Sequence, residues 1–240
     1  MLNFAELTGQ TQTHLQPVPS EQHSLQADTA AAYQRLKQAA SEQSINMNIA
    51  SGFRSLERQL AIWNRKWRGE LPLLDKTGSS LDVNSLTNRE KLTAILHWSA
   101  LPGASRHHWG TDLDIYDARG LADSDSSLQL IPAEYCDPKG PCYNLWVWLS
   151  EHAHEYGFFF PYARYQGGIA QEPWHLSYRP VANKLQQQLT VDALIELIRS
   201  LEIEGQSTIL EHINDIYKNY INNICEDNGW TNTWCGSSSF

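Results

Sequence analysis

The sequence predicts an α+β fold carrying a helical extension at its C-terminal end, and three observations support that prediction. Stretches with apolar residues at helical spacing, such as Asp28 to Ser44 and Tyr143 to Tyr156, are interspersed with short alternating runs such as Ile45-Asn-Met-Asn-Ile-Ala50. At 240 residues the chain can bury one good core with a smaller appendage. After Pro180 the alternation stops and only helical periodicity continues.

Taken in order, residues 1–27 are polar, rich in Gln and Thr, and read as a lead-in segment. Asp28 is the expected N-cap of the first helix, which presents Ala31, Leu36, Ala39 and Ala40 near one face. A half-buried strand over 45–50 leads into the turn Ser51-Gly-Phe-Arg-Ser55. A second helix runs from about Ser55 to Arg68, with Leu56, Gln59, Leu60 and Trp63 on related faces. Gly69, Pro72, Gly78, Ser79 and Ser80 mark 69–86 as a loop, and a helix from Asn88 to about Ala100 stops before Pro102-Gly103. Alternation over 111–116 turns Asp112 and Asp114 one way and Leu113 the other. Residues 118–141 read as a surface loop, and Tyr143 to Tyr156 as a helix closed by Gly157 in the left-handed conformation. Phe158-Phe-Phe opens a strand. Residues 182–224 read as a helical hairpin broken at Gly205, packed onto the rest of the molecule, and 225–240 show no clear period.

The formal net charge of −9 argues against a groove that tracks phosphates, because nucleic-acid binding needs clustered Lys and Arg. No stretch approaches 18 consecutive apolar residues, so a membrane span is not expected. The first residues have neither a basic start nor a long apolar run. The expected location is cytoplasmic, or periplasmic if a leader is missing from the sequence. Cys136-x5-Cys142 and Cys225-x9-Cys235 lack zinc-knuckle spacing; two local disulfides or free thiols are the alternatives, with free thiols expected in a reducing compartment.

The chemistry lies in two stretches, Ser105-Arg-His-His-Trp-Gly-Thr-Asp-Leu-Asp114 and Glu172-Pro-Trp-His175. His107, Asp114 and His175 supply two imidazoles and a carboxylate, leaving a fourth position of tetrahedral zinc for water. Glu172 is a carboxylate three residues from a ligand, placed to take that water's proton. Taken singly, each residue is more often a cap or a satisfied polar group; the case rests on their combination. His108 and Trp109 are expected to serve packing or to line the pocket. Asp112 is expected to be either a hydrogen-bonded structural residue or a second carboxylate near the metal that competes as a ligand or orients His108.

These stretches resemble the LAS zinc metallopeptidases, the VanY-type D-alanyl-D-alanine carboxypeptidases and dipeptidases whose fold is shared with the Hedgehog signalling domain. Their signature, Ser-x-His-x-x-Gly-x-Ala-x-Asp followed by Glu-x-Trp-His, is filled here by Ser105, His107, Gly110, Asp114, Glu172, Trp174 and His175. The one departure is Asp112 in place of Ala. Ser51-Gly-Phe-Arg-Ser55 with Gln59 resembles a third family segment, in which the Arg contacts substrate. The resemblance covers roughly residues 28–181 and implies a small, mostly antiparallel sheet flanked by helices. It implies one zinc on His107, Asp114 and His175, Glu172 as general base, and Arg54, Gln59 and Ser105 at the substrate. A guanidinium fork suits a terminal carboxylate, and Gln59 either meets substrate or braces Arg54.

The implied reaction is release of terminal D-Ala from peptidoglycan stem peptides or muropeptides. The expected cytoplasmic location favours the L,D bond of recycled tetrapeptides over the D,D bond of pentapeptides. The alternatives are a zinc-containing binding module of the Hedgehog type, which would not need Glu172, and an endopeptidase acting as a lysin, against which the Arg54 segment counts.

Overall fold

The computed structural model describes residues 1–124 and 127–226. A helical turn α1 (Phe4–Leu7) precedes a hairpin of β1 (Leu15–Pro17) and β2 (Ser24–Gln26). The helix α2 (Ala27–Glu42) leads to the strand β3 (Met47–Ser51) and then to α3 (Leu56–Trp67). A short hairpin, β4 (Leu73–Leu74) with β5 (Ser80–Leu81), and a single 3-10 turn lie where a loop was expected, before α4 (Asn88–Trp98). The strand β6 (Asp112–Asp117) is followed by the short helices α5 (Ala118–Ser124) and α6 (Pro132–Cys136), then by α7 (Tyr143–His152). The strands β7 (Phe158–Phe159) and β8 (His175–Tyr178) precede α8 (Arg179–Gln186), α9 (Val191–Ser200), α10 (Gln206–Glu211) and α11 (Ile213–Ile216), which ends in a π-helical turn.

The central sheet has the order β3-β6-β8-β7, and every pairing in it is antiparallel. Its register pairs Asp112 with Ser177, Leu113 with Leu176 and Asp114 with His175. Because side chains alternate along a strand, Leu113, Ile115 and Leu176 enter the core on one face. Asp112, Asp114, His175 and Ser177 share the other. The apolar face packs against Tyr33, Leu36 and Ala40 of α2 and Leu145 and Leu149 of α7. Each residue fully buried there contributes about 1.5–3 kcal/mol, so the register is held from below the site.

A second core joins α3 and α4 to the C-terminal helices through Trp63, Trp67, Leu92, Ile95, Leu194, Ile198 and Ile209. Trp63 Nε1 donates to the carbonyl of Glu204, and Asn64 exchanges two hydrogen bonds with the backbone of Glu202 and Glu204. The expected intramolecular packing of the extension is therefore what the structure shows. Its form differs from a simple hairpin, since four short helices and a terminal turn follow one another, with Gly205 at φ +71° capping the start of α10. The boundary expected at 181/182 falls inside α8, which begins directly after β8.

Three local expectations are corrected. The N-cap of α2 is Gln26, whose side chain accepts from the Thr29 N–H; Asp28 lies in the first turn. Residues 1–27 are folded onto the domain: Leu7, Val18 and Leu25 are buried, and Gly110 lies against β1 and β2. Within 118–141, Ala118–Ser124 and Pro132–Cys136 form α5 and α6, with Tyr135 fully buried. Cys142 and Cys225 hold buried free thiols, so neither local loop is closed by a disulfide; Cys235 lies outside the described residues. The family-implied small antiparallel sheet flanked by helices is the architecture observed.

Candidate metal centre and its pocket

Strand pairing places the first two site residues. Asp114 and His175 are direct partners between β6 and β8, with Asp114 Oδ1 3.4 Å from His175 Nδ1. His107 arrives from a 3-10 turn over Arg106–Trp109, which Gly110 ends at φ +66°. A Cβ on Gly110 would sit 2.4 Å from Leu15 Cδ2 and 2.9 Å from the Gln26 nitrogen, so glycine is required both by conformation and by the hairpin pressed against it. Three hydrogen bonds staple this turn to the Ser51–Arg54 segment. His107 Nδ1 donates to the Gly52 carbonyl at 2.8 Å, Arg54 N–H donates to the His107 carbonyl, and His108 Nδ1 donates to the Arg54 carbonyl.

The donor set fits a metal. One ligand atom each from His107, Asp114 and His175 lies within 4.8 Å of the others, and all three residues are buried. A carbonyl only accepts, so His107 carries its proton on Nδ1 and leaves Nε2 free, 3.5 Å from Asp114 Oδ2. Asp114 Oδ1 is buried without a hydrogen-bond partner, an acceptor for which a cation would compensate. Burial raises the Asp114 carboxyl, but the neighbouring His107 and His175 outweigh it and hold the group below its ordinary range.

His175 lies between carboxylates on both sides of its ring. Its Nε2 meets Asp112 Oδ1 at 3.1 Å and its Nδ1 meets Glu172 Oε2 at 3.0 Å. Burial works against its charge, yet the hydrogen bonds it donates to Asp112 and Glu172 and the charge of Asp114 push its pKa up to about 10. A cation on Nδ1 would take the place of that proton and free Glu172 from the contact.

Glu172 is fixed by a turn: its N–H donates to the Tyr162 carbonyl, and its own carbonyl accepts from His175 N–H. It lines a cavity of about 240 Å³ together with Arg54, Ser105, His107, Asp114 and His175. That is below the roughly 300–1,000 Å³ of sites for drug-sized ligands, which suits the end of a chain. Arg54 lies on the wall with its nearest carboxylate, Asp114, at 3.9 Å, and its Nε has no hydrogen-bond partner. Burial works against its charge, and an incoming carboxylate would relieve that. Ser105 Oγ is buried on the same wall and also lacks a hydrogen-bond partner.

Gln59 stands behind Arg54. Its position on the buried face of α3 follows from the spacing Leu56, Gln59, Trp63, and the helix is started by Ser55, whose Oγ accepts from Arg58 N–H. Gln59 Oε1 accepts from Arg54 Nη1, and its Nε2 donates to the Ala100 carbonyl at 2.7 Å. Both ends are occupied, so Gln59 braces the guanidinium.

His108 and Trp109 serve packing, as expected. His108 Nε2 accepts from Gly103 N–H, and burial pulls its pKa down to about 3. Trp109 Nε1 donates to the Leu7 carbonyl. Asp112 lies outside the metal-ligand group, and its Oδ1 meets His175 Nε2 rather than His108. Two residues escaped the sequence. Arg106 is buried and ion-paired to Asp112 at 2.7 Å. Tyr162 lines the pocket edge-on to His175, ring centroids 5.0 Å apart. Neither sits at a spacing that separates it from ordinary core residues.

The family profile described as D-alanyl-D-alanine carboxypeptidase (VanY) matches residues 22–181. Two uncharacterized proteins of Haemophilus influenzae are similar to the chain. One is 44% identical over 98 residues, 40% of this chain and 67% of that protein; the other is 35% identical over 123 residues, 50% of this chain and 92% of that protein. A D-alanyl-D-alanine carboxypeptidase of Enterococcus faecalis is 24% identical over 148 residues, 60% of this chain and 44% of that protein. Among solved structures, VanYB in complex with D-alanine-D-alanine shares the fold at a TM-score of 0.50 and 22% identity, covering 78% of this chain and 90% of that one. The LdcB LD-carboxypeptidase does so at 0.51 and 20%, covering 75% of each.

Proposed function

The chain belongs to the VanY family of D-alanyl-D-alanine carboxypeptidases, and from that premise we propose that it is a zinc carboxypeptidase releasing terminal D-Ala from peptidoglycan stem peptides. The observation that carries this reading is the convergence of His107, Asp114, His175, Glu172 and Arg54 on one small pocket. Zinc held by His107, Asp114 and His175 would lower the pKa of its water and polarise the scissile carbonyl.

The chain's own side chains do the rest. Glu172 takes a proton from the attacking water and returns it to the leaving amine. Arg54, held by Gln59 and Ser51, grips the terminal carboxylate, which limits cleavage to the last residue. Ser105 Oγ offers a further hydrogen bond on the same wall. Glu172 on the pocket wall favours an enzyme over a binding module of the Hedgehog type, since binding alone has no use for a base there.

Within this class we take the L,D bond of the tetrapeptide, in cytoplasmic muropeptide recycling, as the preferred target. It follows the expectation drawn from the sequence; the frame is shared alike with VanYB and with an LD-carboxypeptidase and does not choose between the bonds. Zinc-loaded protein is incubated with defined tetrapeptide and pentapeptide muropeptides, and the products are weighed by mass spectrometry. The expected result is loss of one alanine, faster from the tetrapeptide. Faster loss from the pentapeptide reassigns the bond as D,D; loss from neither overturns the carboxypeptidase reading.

A further inference from the structure

Asp112 occupies the position at which the chain departs from the family pattern, and the structure gives it an elaborate setting. It is fully buried on β6, two residues from Asp114 and therefore on the same face of the sheet. Its Oδ1 accepts from Arg106 Nε at 2.7 Å and from His175 Nε2 at 3.1 Å. Its Oδ2 accepts from the hydroxyls of Thr111 and Ser177 at 2.7 and 3.1 Å. Four donors saturate the carboxylate, which leaves it no lone pair for a metal.

Arg106 is equally committed. Nη2 donates to Ser177 Oγ and Nη1 to Gln186 Oε1 of α8, at 2.7 and 2.6 Å, and the guanidinium lies 4.9 Å from the Trp109 ring centre. Gln186 in turn donates to the Ile221 carbonyl and to Asn222 Oδ1, so the C-terminal helices hold the far end of the chain of contacts. A buried ion pair costs desolvation and adds little net stability on its own. Its use lies in what it orients.

We propose that Asp112, neutralised and aimed by Arg106, is a positioning residue of the metal site, fixing His175 with a proton on Nε2 and its Nδ1 toward the metal. His107 receives the matching constraint from the Gly52 carbonyl, which holds a proton on Nδ1 and turns Nε2 inward. The two imidazoles thus present opposite nitrogens, each set by the partner of the other nitrogen. A backbone carbonyl does this for His107, whereas a carboxylate does it for His175. The C-terminal helices belong to the site through Gln186. This assignment rests on the zinc reading above, and the experiment separates the two.

Two doubly substituted proteins remove both buried charges and differ only in whether an acceptor remains: Arg106→Met with Asp112→Asn, and Arg106→Met with Asp112→Ala. Zinc affinity is measured by competition with a chromophoric chelator, and the His175 tautomer by nitrogen–proton NMR of the ring. In zinc-loaded wild type the ring proton is expected on Nε2, slow to exchange. The Asn protein should keep that signal and bind zinc within about tenfold of wild type, and the Ala protein should lose the signal and bind roughly 10- to 100-fold more weakly. A wild-type ring proton on Nδ1, or equal zinc affinity in the two variants, overturns the assignment. Failure of wild type to bind zinc would instead remove the functional reading beneath it.

Discussion

Asp114 and His175 face each other across the β6–β8 ladder, and the same pairing that closes the sheet brings their ligand atoms to 3.4 Å. The metal site is therefore a consequence of strand register. A one-residue slip of β8 along β6 would send His175 into the apolar layer and bring Leu176 out. That layer, packed on α2 and α7, makes the slip costly.

Glu172 is separable from metal binding. Glu172→Gln keeps the turn and the hydrogen-bonding shape but cannot accept the water's proton. The expected outcome is zinc bound as in wild type and D-Ala release slowed about 10²- to 10⁴-fold. Zinc content and turnover measured on one preparation check it, and full activity in the variant would remove Glu172 from its role.

Arg54 should report on the carboxylate. Wild type is expected to cut a stem peptide with a free terminus far better than its terminal amide. Arg54→Ala should lower kcat/KM for the acid by about 30-fold, the worth of one charge-assisted contact near 2 kcal/mol, and cut acid and amide alike. Arg54→Lys, with no planar fork, should recover part of the loss. Discrimination that survives in Arg54→Ala would place carboxylate recognition elsewhere.

The metal-free and zinc-loaded proteins should differ in their response to pH: the metal-free protein loses stability as pH rises, and the zinc-loaded protein, with metal in place of the His175 Nδ1 proton, stays level. In the metal-free fold His175 holds its proton up to about pH 10, against an ordinary value of 6.5. A raised folded-state pKa contributes stability that is full below 6.5 and is lost as pH climbs through about 10. Zinc competes with the same proton, so its stabilising effect grows over that window. Thermal denaturation with chelator and with zinc should show the gap between the curves widening from pH 6.5 to 10, and His175→Gln should remove the metal-free slope. A metal-free protein that gains stability across the window contradicts this account of His175.

Gly110 makes a test of the scaffold. Gly110→Ala places a Cβ against Leu15 and the Gln26 backbone at a left-handed φ. A loss of about 1–3 kcal/mol is expected, seen as a lowered denaturation midpoint in the metal-free protein. No change would mean that the hairpin of residues 15–26 does not hold the His107 turn.

The ligands were legible because metal chemistry restricts residue type and spacing, and because alternation along 111–116 already placed Asp112 and Asp114 on one face. The Gln59 face followed from helical period in the same way. Asp112's role was not legible, since its partners Arg106, Ser177 and Gln186 come together only when β6 pairs with β8 and α8 folds back. Arg106 lies 71 residues from Ser177 and 80 from Gln186. The helices α5 and α6 are too short to display a period, and α1, β1 and β2 are short elements that also meet Trp109 and Gly110.

The central claim is that one zinc, held by His107, Asp114 and His175, is needed for release of terminal D-Ala. The direct measurement strips the protein with chelator, returns zinc in steps, and follows D-Ala from a defined stem peptide in wild type and Asp114→Ala. The account predicts no release without metal, a linear rise to a plateau at one zinc per chain, and no recovery in the variant. Full release by the metal-free protein, or by Asp114→Ala, would contradict it.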